Sequence, residues 1–296
     1  MKKPNFIIAG VARCGTTSLF HYLKQHPQID FPTVKEPKYF SSINLKLPHQ
    51  GPGDHTVDDK IIKTREKYYE LFKELDNQKM IGEASSDYFF YHQHSVDEIK
   101  KELGDIKIIL CFRSPIERSY SAYTNLIRDS RETLEFEKAI EIENERMHAN
   151  YDWMWAYKQG SLYSEGLKTF QDNFKQVKVI FTEELEKNPA KILQEVFEFL
   201  GVNSNHEIDT TTKYSHSGKP KSKIIAKLNN RNNKFFFAFR EIVLKLIPRT
   251  ISEKIASKLF KKDPISDKSK ATLRKYFKDD IFQLEKLMNK DLSHWK

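Results

Sequence analysis

The 296-residue sequence predicts a three-layer α/β/α fold, in which helices cover both faces of a central parallel sheet. Two observations support this fold class. Short, continuously apolar runs, such as those at 6–10 and 107–112, are typical of strands that are buried on both faces. Helical patterns follow these runs along the chain, and strands that alternate with helices form parallel sheets. We expect a single domain over residues 1–296.

Each further element is predicted from a local signal. The first helix begins at Thr16 and ends at His26-Pro27, because proline breaks a helix. Pro115 suits the first turn of the helix after strand 107–112, and Gly201 suits a helix end. The remaining predictions are, in chain order, a surface loop over 44–60, a helix over 61–75, a strand over 80–84, a solvated helix over 133–147, a helix over 161–174, a strand over 177–181, a helix over 189–200 and a last helix over 267–292.

Composition favours a cytoplasmic protein. No stretch reaches the roughly 18–20 apolar residues that cross a bilayer, and the N-terminus shows no signal-peptide cleavage pattern. Two cysteines, Cys14 and Cys111, do not form a disulfide framework. Cys14 stands near a predicted helix N-terminus, where the pKa of a thiol can fall.

The positive charge is concentrated in one segment, 219–262. It holds 13 Lys and Arg residues against two acids, whereas the whole chain carries a net charge of +9. This distribution predicts a localised anionic partner rather than a nucleic-acid-coated surface. Three interpretations stay open: a solvated, lid-like amphipathic segment, a contact with an anionic glycan, or a peripheral membrane contact through interleaved apolar residues.

The most specific local signal is the loop GVARCGTT (10–17) between the first strand and the first helix. Backbone N–H groups of such a loop converge at a helix N-terminus, whose positive potential favours a phosphate. An ATPase-type loop has lysine at the position of Thr16, but here the cation is Arg13. The loop therefore suits a single 5′-phosphate better than a triphosphate. The alternative is a tight strand–helix turn in which the glycines are needed only for the backbone conformation and bind no ligand.

A second anion site is predicted after strand 107–112. Arg113 stands at its carboxyl end, where ligands of open α/β sheets bind, and Ser121 follows eight residues later. A guanidinium together with a hydroxyl is a good receptor for a terminal phosphate. The alternative is that Arg113 pairs with a helix acid and that Ser121 is a solvated helix residue.

Two phosphate sites in one sheet indicate a ligand with two separated phosphates, and the surrounding motifs resemble one family. The sequence is similar to sulfotransferases that use 3′-phosphoadenosine-5′-phosphosulfate, especially bacterial carbohydrate-type members and heparan sulfate sulfotransferases. The matching segments cover nearly the whole chain in family order. They are FIIAGVARCGTTSLFHYL (6–23), KEPKYF (35–40), GEASSDYF (82–89), KIILCFRSPIERSYSAY (107–123), GSLY (160–163), FTEELEKNPAKILQEVFEFLG (181–201), SGKPKS (217–222) and DLSHW (291–295).

The resemblance implies a P-loop NTPase-like fold and assigns roles to individual residues. The 5′-phosphosulfate would be held by Arg13, Cys14, Gly15, Thr16 and Thr17, and the 3′-phosphate by Arg113 and Ser121. The loop at Ser217, Gly218 and Lys219 would close over the nucleotide, with Tyr163 nearby. Glu36 would be the catalytic base, with Glu83, His92 and His94 as the fallback candidates.

The implied reaction moves a sulfuryl group from this donor to a hydroxyl or amine of an acceptor and releases adenosine 3′,5′-bisphosphate. The expected acceptor is a glycan, free or lipid-linked, and the reaction requires neither a metal nor a nucleic acid. Two positions depart from the heparan sulfate enzymes, which carry lysine where this chain has Arg13 and Ala84. Arg13 can replace the first lysine as a permanently charged donor. The loss of the second lysine, at Ala84, disfavours a heparan-type acceptor.

Two other functions remain as alternatives. A nucleoside or small-molecule kinase shares the strand–loop–helix opening, but the loop lacks the lysine and strand 107–112 is not followed by a Mg²⁺-binding aspartate. A non-catalytic module that binds nucleic acid or membrane would explain the basic segment, but not the two phosphate sites.

Overall fold

The computed structural model describes residues 2–75, 78–212, 214, 218–222, 225, 230, 259–261 and 263–296. Ser217 and most of the basic segment 219–262 lie outside these residues, so the predictions made for them stay predictions. Within the part of the chain that is described, no helix is both long and apolar enough to cross a membrane.

A five-stranded parallel sheet forms the centre of the protein and confirms the predicted fold class. The strands are β1 (Phe6–Gly10), β2 (Ile29–Asp30), β3 (Met80–Ala84), β4 (Lys107–Phe112) and β5 (Val177–Phe181). Their order across the sheet is β2-β3-β1-β4-β5. The residues of β1 are fully buried because the strand lies between β3 and β4, which explains its uninterrupted apolar sequence.

The strand order places a ligand-binding crevice at the carboxyl end of β1. After β1 the chain builds β2 and β3 on one side, and it then crosses to the other side to build β4 and β5. The loops that leave β1 and β4 therefore diverge. Open α/β sheets bind their ligands at such a switch point, outside the carboxyl ends of the strands.

Helices flank the sheet along the whole described chain. They are α1 (Thr16–Leu23), α2 (Tyr39–Ser42), α3 (His55–Asp58), α4 (Arg65–Glu70), α5 (His92–Leu103), α6 (Pro115–Arg128), α7 (Phe136–Glu141), α8 (Glu143–His148), α9 (Ser164–Asn173), α10 (Thr182–Lys187), α11 (Pro189–Leu200) and α12 (Asp267–Met288). Pro115 occupies the first turn of α6, and Gly201 ends α11 in the left-handed conformation, with φ of 78°. Both of these predicted helix ends are confirmed. A two-stranded antiparallel ribbon, β6 (Lys219–Pro220) with β7 (Phe260–Lys261), lies beside α6.

Three predicted elements were wrong in extent or environment. The helix predicted over 61–75 is confined to Arg65–Glu70. The segment 44–60 is not a surface loop throughout: Asp54 is fully buried and accepts hydrogen bonds from Arg131, Trp155 and two backbone amides. The acid-rich stretch 133–147 forms α7 and α8 rather than one solvated helix. Its Glu143 is buried because two backbone amides bind the carboxylate.

Glu83 on β3 is a carboxyl group in the protein interior. The side chain is fully buried near Tyr68 and Tyr88, and neither oxygen has a hydrogen-bond partner of ordinary geometry. Desolvation raises the pKa of Glu83 from its ordinary 4.5 to about 8, because burial disfavours the charged form.

The proton on Glu83 therefore couples stability to pH. The native state keeps this proton up to about pH 8, whereas the unfolded chain releases it near pH 4.5. The free energy of unfolding consequently falls as the pH rises through this interval, by up to ~1.4 kcal/mol per pH unit. We expect Glu83→Gln to flatten the decline of the melting temperature with pH. Glu102→Gln, which alters a carboxylate paired with Arg65 near the surface, should not; parallel curves for wild type and Glu83→Gln would contradict the prediction.

Candidate active site

A cleft of about 280 Å³ opens at the carboxyl end of the sheet. It collects residues from the loop after β1, the segment after β2, the end of β3, the start of α6 and the start of α10. The lining residues are Ala12, Arg13, Gly15, Thr16, Thr17, Ser18, Glu36, Lys38, Ser86, Arg113, Ser121, Trp153, Met154, Thr182, Glu186 and Tyr214. Both predicted anion sites and the predicted base thus lie in one cavity.

The loop after β1 leaves an open helix N-terminus in the cleft. Gly10 must be glycine, because a Cβ atom there would lie 2.5 Å from the Cβ of Phe89. Gly15, with φ of 83°, begins α1 without a side-chain cap, and the first turn contains no acid. The first-turn amides of a helix have no partner within the helix, and together with the helix dipole they favour an anion. The geometry of the loop thus matches the predicted phosphate cradle, and its role in binding stays a prediction.

Thr182 at the start of α10 holds the loop against β4. Its hydroxyl donates to the carbonyl oxygens of Cys14 and Phe112, at 2.8 and 3.0 Å. Val11 N–H donates to the carbonyl of Cys111 on the neighbouring strand at 3.0 Å. These bonds hold the loop from both sides.

Arg13 points across the cleft toward the second anion site. Its Nε donates to the hydroxyl of Ser121 at 3.2 Å, so the two predicted phosphate sites are adjacent enough for one side chain to join them. Desolvation and the nearby charge of Arg128 lower the pKa of Arg13 to about 9. The guanidinium still carries its charge at neutral pH.

Arg113 and Ser121 both lie in the cleft, but their contacts differ. Arg113 precedes α6 and pairs with Glu117 of that helix at 3.2 Å, as the alternative supposed, while remaining in the cleft lining. Ser121 is buried and bonded to Arg13, so it is not a solvated helix residue. Glu117 is half-exposed, and an exposed ion pair of this kind is weak. A bound phosphate can therefore compete for Arg113.

Glu36, in the segment after β2, is an ionised carboxylate held beside the end of β3. Its backbone N–H donates to the carbonyl of Ala84 at 2.9 Å. The backbone N–H and the hydroxyl of Ser86 both donate to its carboxylate at 2.9 Å, and Lys35 pairs with it at 2.7 Å. Desolvation opposes ionisation, but the charges of Lys35 and Lys38 and the bonds from Ser86 outweigh it and lower the pKa of Glu36. The group is therefore ionised at neutral pH, which is the form in which a carboxylate can act as a base.

Lys38 is a cleft residue that was not predicted from the sequence. Its ammonium group lies 5.6 Å from the ring centroid of Trp153, and both residues line the cavity. Burial disfavours the ammonium ion, but the charges of Asp87, Asp152 and Glu36 raise the pKa of Lys38. Its position two residues after Glu36 was the available signal. Trp153 could not be predicted, because nothing local to it indicates that its 3₁₀ turn (Trp153–Trp155) faces this cavity.

Unusual backbone conformations concentrate in this cleft. Among the described residues, six non-glycine residues have positive φ, and three of them, Arg13, Glu36 and Lys38, line the cavity. A left-handed conformation costs free energy in such residues and is maintained by the surrounding structure. Here it directs three charged side chains toward a common space.

Two residues that the resemblance assigned to nucleotide binding face away from the cleft. Cys14 is fully buried, and its N–H and carbonyl are bonded to Val11 and Thr182. Burial raises the pKa of the Cys14 thiol to about 11, so the helix N-terminus does not activate it. Tyr163 is also fully buried, and its hydroxyl donates to the carbonyl oxygen of Arg113 at 3.0 Å. Tyr163 therefore supports the backbone at Arg113, in the predicted second anion site.

Gly218 and Lys219, the described residues of the predicted closing loop, and the fallback bases do not line the cleft. Gly218 directly precedes β6, and Lys219 is the first residue of β6 and pairs with Asp263 at 3.6 Å. Neither residue lines the cavity. Glu83, His92 and His94 are likewise absent from the lining, Glu83 because it is fully buried behind it. No group of three or more His, Cys, Asp or Glu residues in the described ranges is arranged to hold a metal ion.

A five-stranded parallel sheet with flanking helices and a glycine-containing loop between β1 and α1 places the protein in the P-loop-like α/β class. A sequence model described as "Sulfotransferase family" matches residues 4–206. The chain belongs to this family.

Individual relatives agree with the family assignment. The crystal structure of a sulfotransferase from Alicyclobacillus acidocaldarius is 30% identical, with a TM-score of 0.80 over 100% of this chain and 99% of that one. The membrane-associated sulfotransferase kil1 of Dictyostelium discoideum is 36% identical over 120 residues, which are 40% of this chain and 22% of that protein. The mouse heparan sulfate glucosamine 3-O-sulfotransferase 3A1 is 26% identical over 67% of this chain and 46% of its own length. The chain thus spans less than half the length of these two curated relatives.

Proposed function

We propose that this protein transfers a sulfuryl group from 3′-phosphoadenosine-5′-phosphosulfate to a hydroxyl or amine of a glycan acceptor. The observation that supports this most is the convergence of two arginines, an open helix N-terminus and an ionised glutamate in one cleft. The arginines and the helix end suit a doubly phosphorylated donor, and the glutamate suits an acceptor that must lose a proton.

On the donor side, the amides and hydroxyls at Thr16 and Thr17 hold the 5′-phosphate, while Arg113 and Ser121 bind the 3′-phosphate. Arg13, which reaches Ser121 from the loop, lies between the two groups. Its charge offsets the negative charge that develops on the bridging oxygen as the bond between sulfur and that oxygen breaks. Stabilisation of developing charge by fixed donors is the main protein contribution in transfers of this kind.

The reaction is a direct in-line displacement at sulfur. The acceptor oxygen or nitrogen forms a bond to sulfur while the bond from sulfur to the bridging phosphate oxygen breaks. Glu36 takes the acceptor proton, and the electron pair of the broken bond stays on adenosine 3′,5′-bisphosphate. The scheme forms no covalent enzyme intermediate and requires no metal.

On the acceptor side, Trp153, Met154 and Lys38 form the wall of the cleft that also contains Glu36. An aromatic ring beside a buried cation suits a sugar ring that carries acidic groups. Two of the relatives support a glycan acceptor, since the mouse protein named above is a heparan sulfate enzyme and another is named carbohydrate sulfotransferase 15. We further propose a cytoplasmic enzyme, with a peripheral membrane contact through 219–262 if the glycan is lipid-linked.

Ligand binding separates this function from a kinase. Thermal unfolding should be measured with adenosine 3′,5′-bisphosphate and, separately, with ATP and Mg²⁺. We expect the bisphosphate to raise the melting temperature by several degrees, because a ligand at about 100 times its Kd stabilises the folded state by about 2.7 kcal/mol. ATP should have little effect, since the loop has no lysine for β- and γ-phosphates. A shift with ATP and Mg²⁺ alone would refute the proposal.

A further inference from the structure

Arg118 lies behind the phosphate-binding loop with its side chain completely buried. It belongs to α6, and its guanidinium reaches back to the loop, where Nε donates to the carbonyl oxygen of Ala12 at 3.1 Å. Ala12 directly precedes Arg13. The bond therefore fixes the backbone at the point where the loop turns into the cleft.

The same guanidinium also holds a second segment. Its Nη1 donates to the carbonyl of Ala156 at 3.1 Å, to that of Tyr157 at 3.4 Å and to the hydroxyl of Ser161 at 3.4 Å. This segment directly follows the 3₁₀ turn that contributes Trp153 to the cleft. One side chain thus links the anion loop to the wall on the proposed acceptor side.

The buried charge of Arg118 is not balanced by an ion pair within the described residues. Across the described ranges no carboxylate pairs with its guanidinium, and Nη2 has no hydrogen-bond partner. Glu143 is near enough to affect it electrostatically, but that carboxylate binds the backbone amides of Lys158 and Gln159 instead. An unpaired buried charge is strongly unfavourable, and the cations of Arg13 and Arg113 nearby add to the positive charge. An anion in the loop would relieve this excess.

We propose that Arg118 is a positioning residue for the 5′-phosphate of the donor. It holds the loop in its anion-binding conformation and supplies buried positive charge that the bound phosphate neutralises. This inference rests on the proposed function and assigns to Arg118 a role at that same site.

Gly160 provides an independent way to move the guanidinium without removing it. A Cβ atom at position 160 would lie 2.6 Å from Nη1 and 2.9 Å from Nη2 of Arg118. The close contact explains why the GSLY motif (160–163) begins with glycine. In Gly160→Ala the arginine keeps its charge but must shift away from its present bonds.

The test compares ligands that differ in one phosphate. Calorimetric Kd values should be measured on the full chain for adenosine 3′,5′-bisphosphate, adenosine 5′-monophosphate and adenosine 3′-monophosphate. We expect Arg118→Lys and Gly160→Ala to raise the Kd of both 5′-phosphorylated ligands on the order of 10-fold, and to leave that of the 3′-monophosphate unchanged. The matched control is Arg146→Lys, since Arg146 is a buried arginine held by Glu132 outside the cleft. It should lower the melting temperature without changing any Kd.

Each outcome has a defined meaning. An equal rise in Kd for all three ligands would show general damage, and unchanged values would show that the loop does not need Arg118; either result overturns the proposal. If Arg118→Lys does not fold, Gly160→Ala decides alone. A wild-type protein that binds none of these nucleotides would refute the proposed function as well, which distinguishes that failure from the failure of this inference.

Discussion

Replacement of Glu36 by glutamine is expected to lower kcat by about 10³-fold and to leave the Kd of adenosine 3′,5′-bisphosphate unchanged. General-base catalysis typically contributes about 10²–10⁴-fold to the rate, and an amide cannot accept the acceptor proton. Glutamine retains the size of the side chain and can still meet the hydroxyl of Ser86. The nucleotide side of the cleft does not depend on the carboxylate, so donor binding should survive.

The measurement requires both single-turnover kinetics with labelled donor and a binding titration with the product nucleotide. Glu102→Gln is the matched control, because Glu102 is also paired with a cation and hydrogen-bonded, by Arg65 and Tyr69, but does not line the cleft. It should turn over at the wild-type rate. Wild-type turnover by Glu36→Gln would remove Glu36 from the mechanism.

The pH dependence of wild-type turnover gives a second check on Glu36. Its folded-state pKa lies below the ordinary 4.5, because Lys35, Lys38 and Ser86 outweigh desolvation. The ionised base is therefore present above pH 4.5 and is lost only as the pH falls through the lowered pKa. We expect kcat to show no acid limb attributable to this group near neutrality. A limb between pH 6 and 7, the usual range for histidine, would point to a different base.

The sequence predicted the elements whose signals are local. Continuous apolar runs identified β1 and β4, because strands that are buried on both faces are mostly apolar. The strands β3 and β5 were also predicted, although they contain Glu83 and Lys178. The loop after β1 was predicted from its glycines, its arginine and its place between a strand and a helix. The short edge strand β2 (Ile29–Asp30) was missed, since two residues carry no periodicity.

The parts that escaped prediction depend on contacts between distant segments. Asp54 is buried because Arg131, Trp155 and Asp152 approach it from about 80 to 100 residues away along the chain. Tyr163 was placed at the nucleotide by resemblance, whereas the structure buries it against Arg113. The role of Arg118 could not be predicted from its motif, because its partners Ala12 and Ala156 are 106 and 38 residues away along the chain.

Removal of Arg13 is expected to have the second large effect, on both binding and chemistry. Arg13→Ala deletes the cation that we place at the bridging oxygen, and loss of one donor at a developing charge typically costs about 10²–10³-fold in kcat. It also deletes the bond from Nε to Ser121, so the Kd of adenosine 3′,5′-bisphosphate should rise. Glu36→Gln should change kcat alone, and the two variants therefore separate the donor and acceptor halves of the cleft.

Arg13→Lys tests whether charge or geometry matters at this position. A lysine keeps a positive charge but lacks the planar fork of the guanidinium, so it should recover part of the lost kcat and less of the lost affinity. Arg65→Ala, which removes an exposed arginine distant from the cleft, should behave as wild type. If Arg13→Ala kept wild-type kcat and Kd, charge stabilisation would have to come from Arg113 and the loop amides. The loop cation would then be dispensable, and the mechanism proposed for the donor side would be wrong.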